Sequence, residues 1–263
     1  MDFQTISVEY HKKICTLTLN RPRERNSMNQ NMARDFREAI DKIKHAPDIR
    51  VLVLTGAGKT FCAGADLKML RQWLHASPSI VEKELFDFYR SFLGIADLPI
   101  PTIAVINGAA VGAGGCLTLA CDLRIAAADA RIGFTFIKLG INPGMGSEYF
   151  LSRLVGPARA FELLSTGDFL SADEAFRIGL VNKVVPPEKL TEQVMEYANK
   201  VAAMPAVPMR VIKESLLAAQ GSNLTNVLQR ESAYQSMCFQ TKNMQEGINA
   251  MREKREPRFQ EEW

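Results

Sequence analysis

Histidine is scarce in this sequence, and its cysteines are not paired. Three histidines, His11, His45 and His75, lie far apart, and Cys15, Cys62, Cys116, Cys121 and Cys238 are dispersed without a CxxC pair. That pattern lacks the usual zinc-ligand spacings, so no metal is expected. It also argues for a reducing compartment and against a disulfide framework. No apolar run approaches the ~18 residues that a membrane-spanning helix needs. Met1-Asp2-Phe3-Gln4-Thr5 carries neither a basic nor an apolar stretch, so no secretory leader is expected and the expected location is the cytoplasm. A charge excess is missing too: 32 Lys and Arg face 29 Asp and Glu, a net +3. This excludes a polybasic nucleic-acid surface but leaves room for a local basic patch that holds a phosphorylated small ligand. Neither GxGxxG with a following acidic partner nor GxxxxGK[ST] occurs, which argues against the two common nucleotide folds.

The 263 residues are 47% apolar and 23% charged, the balance of a soluble globular chain. Surface scaling predicts about 11,000–12,000 Å² of accessible surface for a folded monomer of this size. Alternation at Ile6, Val8 and Tyr10, followed by residues 14–19, predicts a hairpin. A polar loop, Asn20 to Ser27, precedes a helix whose apolar face is Met32, Phe36, Ala39, Ile40 and Ile43, with Asn26 or Ser27 as the expected cap. Residues 51–55 and 102–106 are continuous apolar runs, the pattern of strands covered on both faces. A short helix is expected from Asp66, a longer one near 80–93, another near 113–120, and a strand at 123–126. Strand, glycine-rich turn, helix and strand thus recur, which favours a layered or spiral α/β core.

Helices dominate after about residue 143. Ser171-Ala172-Asp173-Glu174 fits a capping box. A last short strand is expected within 181–185, then helices near 188–203, 208–219, 223–238 and 243–254. Two regions are expected: a core over 1–200 and a C-terminal helical region over 201–263, whose apolar residues would pack on the core or on another subunit.

Two turns can carry chemistry. Phe61-Cys62-Ala63-Gly64-Ala65-Asp66 and residues 107–115 (NGAAVGAGG) each lie between a buried strand and a helix. Small residues let a ligand approach the backbone, and free N–H groups at a helix start stabilise developing negative charge. The alternative is that both are packing turns.

These turns resemble the crotonase superfamily, the enoyl-CoA hydratase/isomerase family. The resemblance runs through Leu19-Asn20-Arg21-Pro22, both turns, Ala120-Cys121-Asp122-Leu123-Arg124, Leu139-Gly140-Ile141-Asn142-Pro143-Gly144 and residues 170–181. It implies a spiral of ββα units with a C-terminal helical trimerisation region, and an acyl-CoA substrate whose enolate is held in an oxyanion hole. By motif position the donors would be the N–H groups of Ala65 and Ala113. Ala63, Asp66 and Leu67 would line the adenine and pantetheine channel, and Arg23, Arg25 and Lys254 would reach the phosphates. Without the resemblance, the three basic residues read as solvated charges. The implied assembly is a homotrimer or a dimer of trimers. Coenzyme A would be part of the substrate, with no separate cofactor.

The departures from the family pattern concern acid/base groups. Cys116 and Phe136 stand where hydratases of the family carry their two glutamates, and Gly144 stands where one isomerase lineage carries its own. Glu148, in the helix after Gly144-Met145-Gly146, is the remaining candidate catalytic carboxylate, although a first-turn carboxylate is also what a helix dipole favours. Cys116 and Phe136 are expected at the acyl pocket. Three functions stay open: a hydratase/isomerase-type acyl-CoA enzyme with a displaced acid/base, a decarboxylase of an acyl-CoA or acyl-carrier-protein thioester, and a low-turnover thioester-binding protein.

Overall fold

The computed structural model describes residues 3–260. Its core is built from two sheets that the chain visits alternately. The larger sheet has the order β1 (Ile6–His11), β2 (Ile14–Leu19), β3 (Val51–Gly56), β5 (Thr102–Ile106), β7 (Leu123–Ala127) and β10 (Lys183–Val185). β1 and β2 form the expected antiparallel hairpin, and β2, β3, β5, β7 and β10 run parallel. The smaller sheet joins β4 (Thr60–Cys62), β6 (Ala109–Val111), β8 (Arg131–Gly133) and β9 (Phe169–Ser171). β3 and β4, β5 and β6, and β7 and β8 are successive pairs, so each turn of the chain adds one strand to each sheet. The result is the expected spiral of ββα units. Every residue of β5 is buried, as its uninterrupted apolar run requires. The three-residue strands of the smaller sheet are too short for a periodic signal, and the sequence pattern passed over them.

Helix α1 (Gln30–Lys44) buries the predicted face, but its cap differs from the expectation. Asn29 is the cap, its Oδ1 accepting the Met32 N–H at 2.9 Å. Asn26 is instead buried in a left-handed conformation, φ 55°. Its Nδ2 donates to the carbonyls of Ala57 (2.9 Å) and Thr60 (2.7 Å), and its Oδ1 accepts the Arg21 N–H (2.9 Å). The short 3-10 turn at Pro22–Glu24 and the left-handed Arg25 and Asn26 reroute the chain, and the helix begins beyond them.

Asp66 caps α2 (Leu67–Trp73). Next come α3 (Pro78–Leu93), entered through a proline at its first position, and α4 (Ala113–Leu119). Helices α5 (Ser147–Val155) and α6 (Pro157–Thr166) follow β8, and the capping box opens α7 (Ala172–Arg177) as predicted. No helix among the described residues is long and apolar enough to cross a membrane.

The C-terminal helices α8 (Leu190–Ala202), α9 (Ala206–Ala219), α10 (Leu224–Cys238) and α11 (Lys242–Glu253) are present. α9 is pinned to the core by Lys213, whose Nζ donates to Asp122 Oδ2 (2.8 Å) and the Ile100 carbonyl (3.0 Å). Asp122 also accepts the backbone and hydroxyl protons of Thr102. α10 buries none of its residues. The chain exposes 14639 Å², above the scaling value for a compact monomer. Leu216, Leu224, Leu228, Phe239 and Met251 are among the large apolar residues exposed along the C-terminal helices.

Candidate functional site

The two glycine-rich turns meet. β4 and β6 pair in parallel, so the turns that follow them leave the small sheet at the same end. Gly64 makes this approach possible, with φ +93° and no Cβ; a Cβ there would lie 2.8 Å from the Val111 carbonyl oxygen and 3.6 Å from the Ala113 nitrogen. Gly114 packs its bare Cα on Cys62, where a Cβ would come within 2.6 Å of the cysteine Cβ. Residues 25–28 brace the first turn. The Ala63 N–H donates to the Arg25 carbonyl (2.9 Å), Met28 N–H to the Gly64 carbonyl (2.8 Å) and Asp66 N–H to the Met28 carbonyl (2.8 Å).

Between these engaged groups, the Ala65 N–H has no acceptor among the described residues. Neither has the Ala113 N–H, which opens α4 and so precedes any intrahelical bond. Two free backbone donors on adjoining turns can hold an oxyanion. Asn107 steadies the scaffold beneath them, its Nδ2 donating to the carbonyls of Gly56 (2.8 Å) and Gly58 (2.9 Å).

Asp66 is heavily engaged by protein groups. Its Oδ1 accepts the Lys68 N–H (2.9 Å), and its Oδ2 accepts from both terminal nitrogens of Arg21, each at 3.2 Å. Burial pushes the Asp66 carboxyl up, but the Lys68 N–H and the Arg21 guanidinium outweigh burial and hold it below the ordinary carboxylate value. Sequence reasoning missed Arg21; an arginine in a polar loop gave no sign that it was the partner of Asp66. Ala63 is half-buried and Leu67 exposed beside this pair. Arg23 and Arg25 are exposed on the preceding loop, and Lys254 is exposed in the left-handed position that ends α11. None of these three cations makes an ion pair among the described residues.

The side chains at the expected acid/base positions are of another kind. Cys116 lies on α4 with no exposed surface. Burial raises its thiol well above the ordinary value, although the Ser147 hydroxyl beside it pulls the other way. It is therefore neither a thiolate nor a base at neutral pH. Ser147 is itself buried, and its hydroxyl has no well-formed hydrogen bond. Phe136 is half-buried on the 3-10 turn Thr135–Leu139 and packs against the core. Glu148 stands exposed in the first turn of α5, without a side-chain ion pair among the described residues.

One residue enters from an element that the sequence did not connect with the site. Tyr89, on α3, lays its phenol against Gly144, so that a Cβ at Gly144 would overlap Tyr89 Oη and lie 2.9 Å from Cζ. In the sequence, Tyr89 is one aromatic of a helix that also buries Phe88 and Phe92. Nothing local separates it from packing residues.

Comparison with known proteins converges on one family. The family model described as enoyl-CoA hydratase/isomerase matches residues 9–262. A crotonyl-CoA hydratase of Syntrophomonas wolfei is 36% identical over 262 residues, covering 98% of this chain and 99% of the relative. A 1,2-epoxyphenylacetyl-CoA isomerase of Escherichia coli is 35% identical, with 98% of each chain covered. The crystal structure of an enoyl-CoA hydratase from Bacillus anthracis superposes with a TM-score of 0.92 at 38% identity, over 98% of this chain and 100% of that one.

Proposed function

Because the chain belongs to the enoyl-CoA hydratase/isomerase family, we infer that it is an acyl-CoA enzyme that stabilises a thioester enolate on the N–H groups of Ala65 and Ala113. One observation carries this reading: two unengaged backbone donors lie on turns held together at Gly64, where a side chain would collide. The donors need no particular side chain, so alanine at 113 leaves the hole intact. Arg23, Arg25 and Lys254 supply positive charge for the coenzyme A phosphates. Ala63 and Leu67 border its adenine and pantetheine, and the Asp66–Arg21 pair fixes the start of α2. The acyl group then lies toward Cys116 and Phe136, on an apolar wall where neither residue moves a proton.

The relatives named above are a crotonyl-CoA hydratase and a 1,2-epoxyphenylacetyl-CoA isomerase, so similar chains carry out more than one reaction on CoA thioesters. Here the usual carboxylates are replaced, and Glu148 is the carboxylate that the Gly144 loop offers. The test is turnover of crotonyl-CoA by native protein and by Glu148→Gln. If Glu148 handles the proton, the variant loses most of its hydration and keeps its affinity for CoA thioesters. Unchanged hydration assigns the proton to another group. Absence of both CoA-thioester binding and turnover in the native protein would overturn the reading.

The exposed apolar faces of α9–α11 fit an assembly of copies, a trimer or a dimer of trimers, since closed symmetry is the usual way to bury such surface. Sedimentation equilibrium at micromolar concentration is expected to give a multiple of three. A monomer there would contradict it.

A further inference from the structure

Helix α11 ends on a lysine where a glycine is the usual residue. Lys254 takes a left-handed conformation, φ 53°. Its N–H and that of Arg255 turn back to the carbonyls of Met251 (3.3 Å) and Ala250 (3.0 Å), the bonding with which a glycine commonly closes a helix. A lysine there bears a steric cost that glycine avoids, and such a residue persists where its surroundings over-determine it. They do so here. Beyond Lys254 the chain doubles back along α11 and is fastened to it by two side chains one helical turn apart. Glu246 takes the Arg255 guanidinium on both oxygens (2.6 and 3.0 Å) and the Arg258 N–H on Oε1 (2.7 Å). Asn243 pairs with the backbone of Gln260, accepting its N–H at 2.7 Å and donating to its carbonyl at 3.0 Å. The clasp also sorts the charges at this helix end. Arg255 Nε donates to Glu253 at 2.6 Å, so one guanidinium engages the carboxylates of both Glu246 and Glu253. Neither Lys254 nor Glu256 makes an ion pair among the described residues. Arg255 and the Arg258 N–H hold the Glu246 carboxyl down at about 2, so the clasp is charged throughout the neutral range.

We propose that Glu246 is a positioning residue: by clasping Arg255 and the Arg258 N–H it fixes the left-handed turn at Lys254 and leaves the Lys254 ammonium unpaired for a coenzyme A phosphate. The proposal rests on the phosphate role given to Lys254 above. A lysine on a frayed helix end loses backbone freedom when it meets an anion, and that loss weakens binding. With the turn already fixed, only the side chain is ordered by the ligand. The ammonium also meets the phosphate without first leaving a carboxylate. Glu246 itself is negative, and by charge alone it would repel a phosphate. This gives the proposal its sign: neutralising Glu246 weakens a phosphate-bearing ligand, where simple charge counting demands that it strengthen one.

The test is titration calorimetry on native protein, Glu246→Gln, Lys254→Ala and the double variant. The probes are butyryl-CoA, a saturated thioester, and S-butyryl-pantetheine, which lacks the phosphates. Lys254→Ala is expected to weaken butyryl-CoA about two- to five-fold, the worth of one exposed charge pair. Glu246→Gln should weaken it by as much or less, and the double variant no more than Lys254→Ala alone, because one effect passes through the other. All four proteins should bind the pantetheine thioester alike. Amide hydrogen exchange at Arg258 should quicken in Glu246→Gln, which reads the opened clasp without ligand. Should Glu246→Gln fail to fold, Arg255→Gln opens the clasp from its other partner and carries the same comparison. Unchanged or tighter butyryl-CoA binding by Glu246→Gln, with Lys254→Ala weakened, overturns the proposal and leaves the phosphate reading standing. Losses that multiply in the double variant do the same. Butyryl-CoA that binds Lys254→Ala as tightly as native protein removes the phosphate role of Lys254 and the proposal with it. Native protein that binds neither probe removes the acyl-thioester reading as well.

Discussion

The two halves of the site are built from different materials. The half that would hold negative charge is backbone: two N–H groups presented by turns whose side chains are small, braced by Asn107 and residues 25–28. The half that would move protons is side chain, and there a buried thiol, a phenyl ring and a glycine stand where the resemblance led one to expect carboxylates. Backbone donors survive substitution, whereas acid/base groups do not. A family can therefore keep its hole while the chemistry next to it changes, and the two halves can be broken separately.

A large effect is expected on the backbone half. Ala113→Pro removes one donor at the first position of a helix, where proline is tolerated. Losing one oxyanion donor costs about 10²–10³-fold in kcat, and an unchanged melting curve would show that the fold is intact. A variant as active as the native protein would show that the Ala113 N–H is not a donor to the substrate. A smaller effect is expected at the rim. Lys254→Ala should weaken CoA thioesters a few-fold, on the order of 1 kcal/mol for an exposed charge, and spare short pantetheine thioesters. The loss should shrink in high salt as screening takes over. Titration calorimetry with both ligands checks this, and equal weakening of both counts against a phosphate contact.

The smallest effect is on stability, in the frame that supports the first turn. Asp66→Asn keeps a competent helix cap but removes the charge facing Arg21. The Asp66 carboxyl is held below its ordinary value in the folded chain, so its contribution is complete above the unfolded value of about 4. It is lost as pH falls through the lower folded value. Chemical denaturation should show Asp66→Asn less stable by about 1 kcal/mol at neutral pH, the scale of a hydrogen bond to a charged group that is partly solvated. The two proteins should converge in acid. A gap that persists in acid would locate the effect in helix capping instead of charge.

The sequence was legible where periodicity or capping is strong. The buried runs of β3 and β5, the amphipathic face of α1 and the capping box of α7 were all readable, because each is decided within a few residues. The smaller sheet was not readable, since three residues hold no period, although its short strands bring the two turns together. Asn26 looked like a cap and is instead a buried clamp on the 57–60 loop, because two left-handed residues delay the helix. The free N–H groups of Ala65 and Ala113 fall at positions that the motifs named. Tyr89 was beyond reach: its nearness to Gly144 is set by how α3 packs, and no local pattern separates it from Phe88 or Phe92.

The division of the site is tested most directly by the steady-state rate of crotonyl-CoA hydration. On the proposed reading the backbone half still holds the enolate, but Cys116 and Phe136 do not orient water or exchange its proton. Hydration should therefore be detectable but slower than in a two-glutamate hydratase by about 10²–10⁴-fold, and slower again in Ala113→Pro. Hydration near the diffusion limit, unaffected by Glu148→Gln, would contradict the account and require an acid/base group outside these residues.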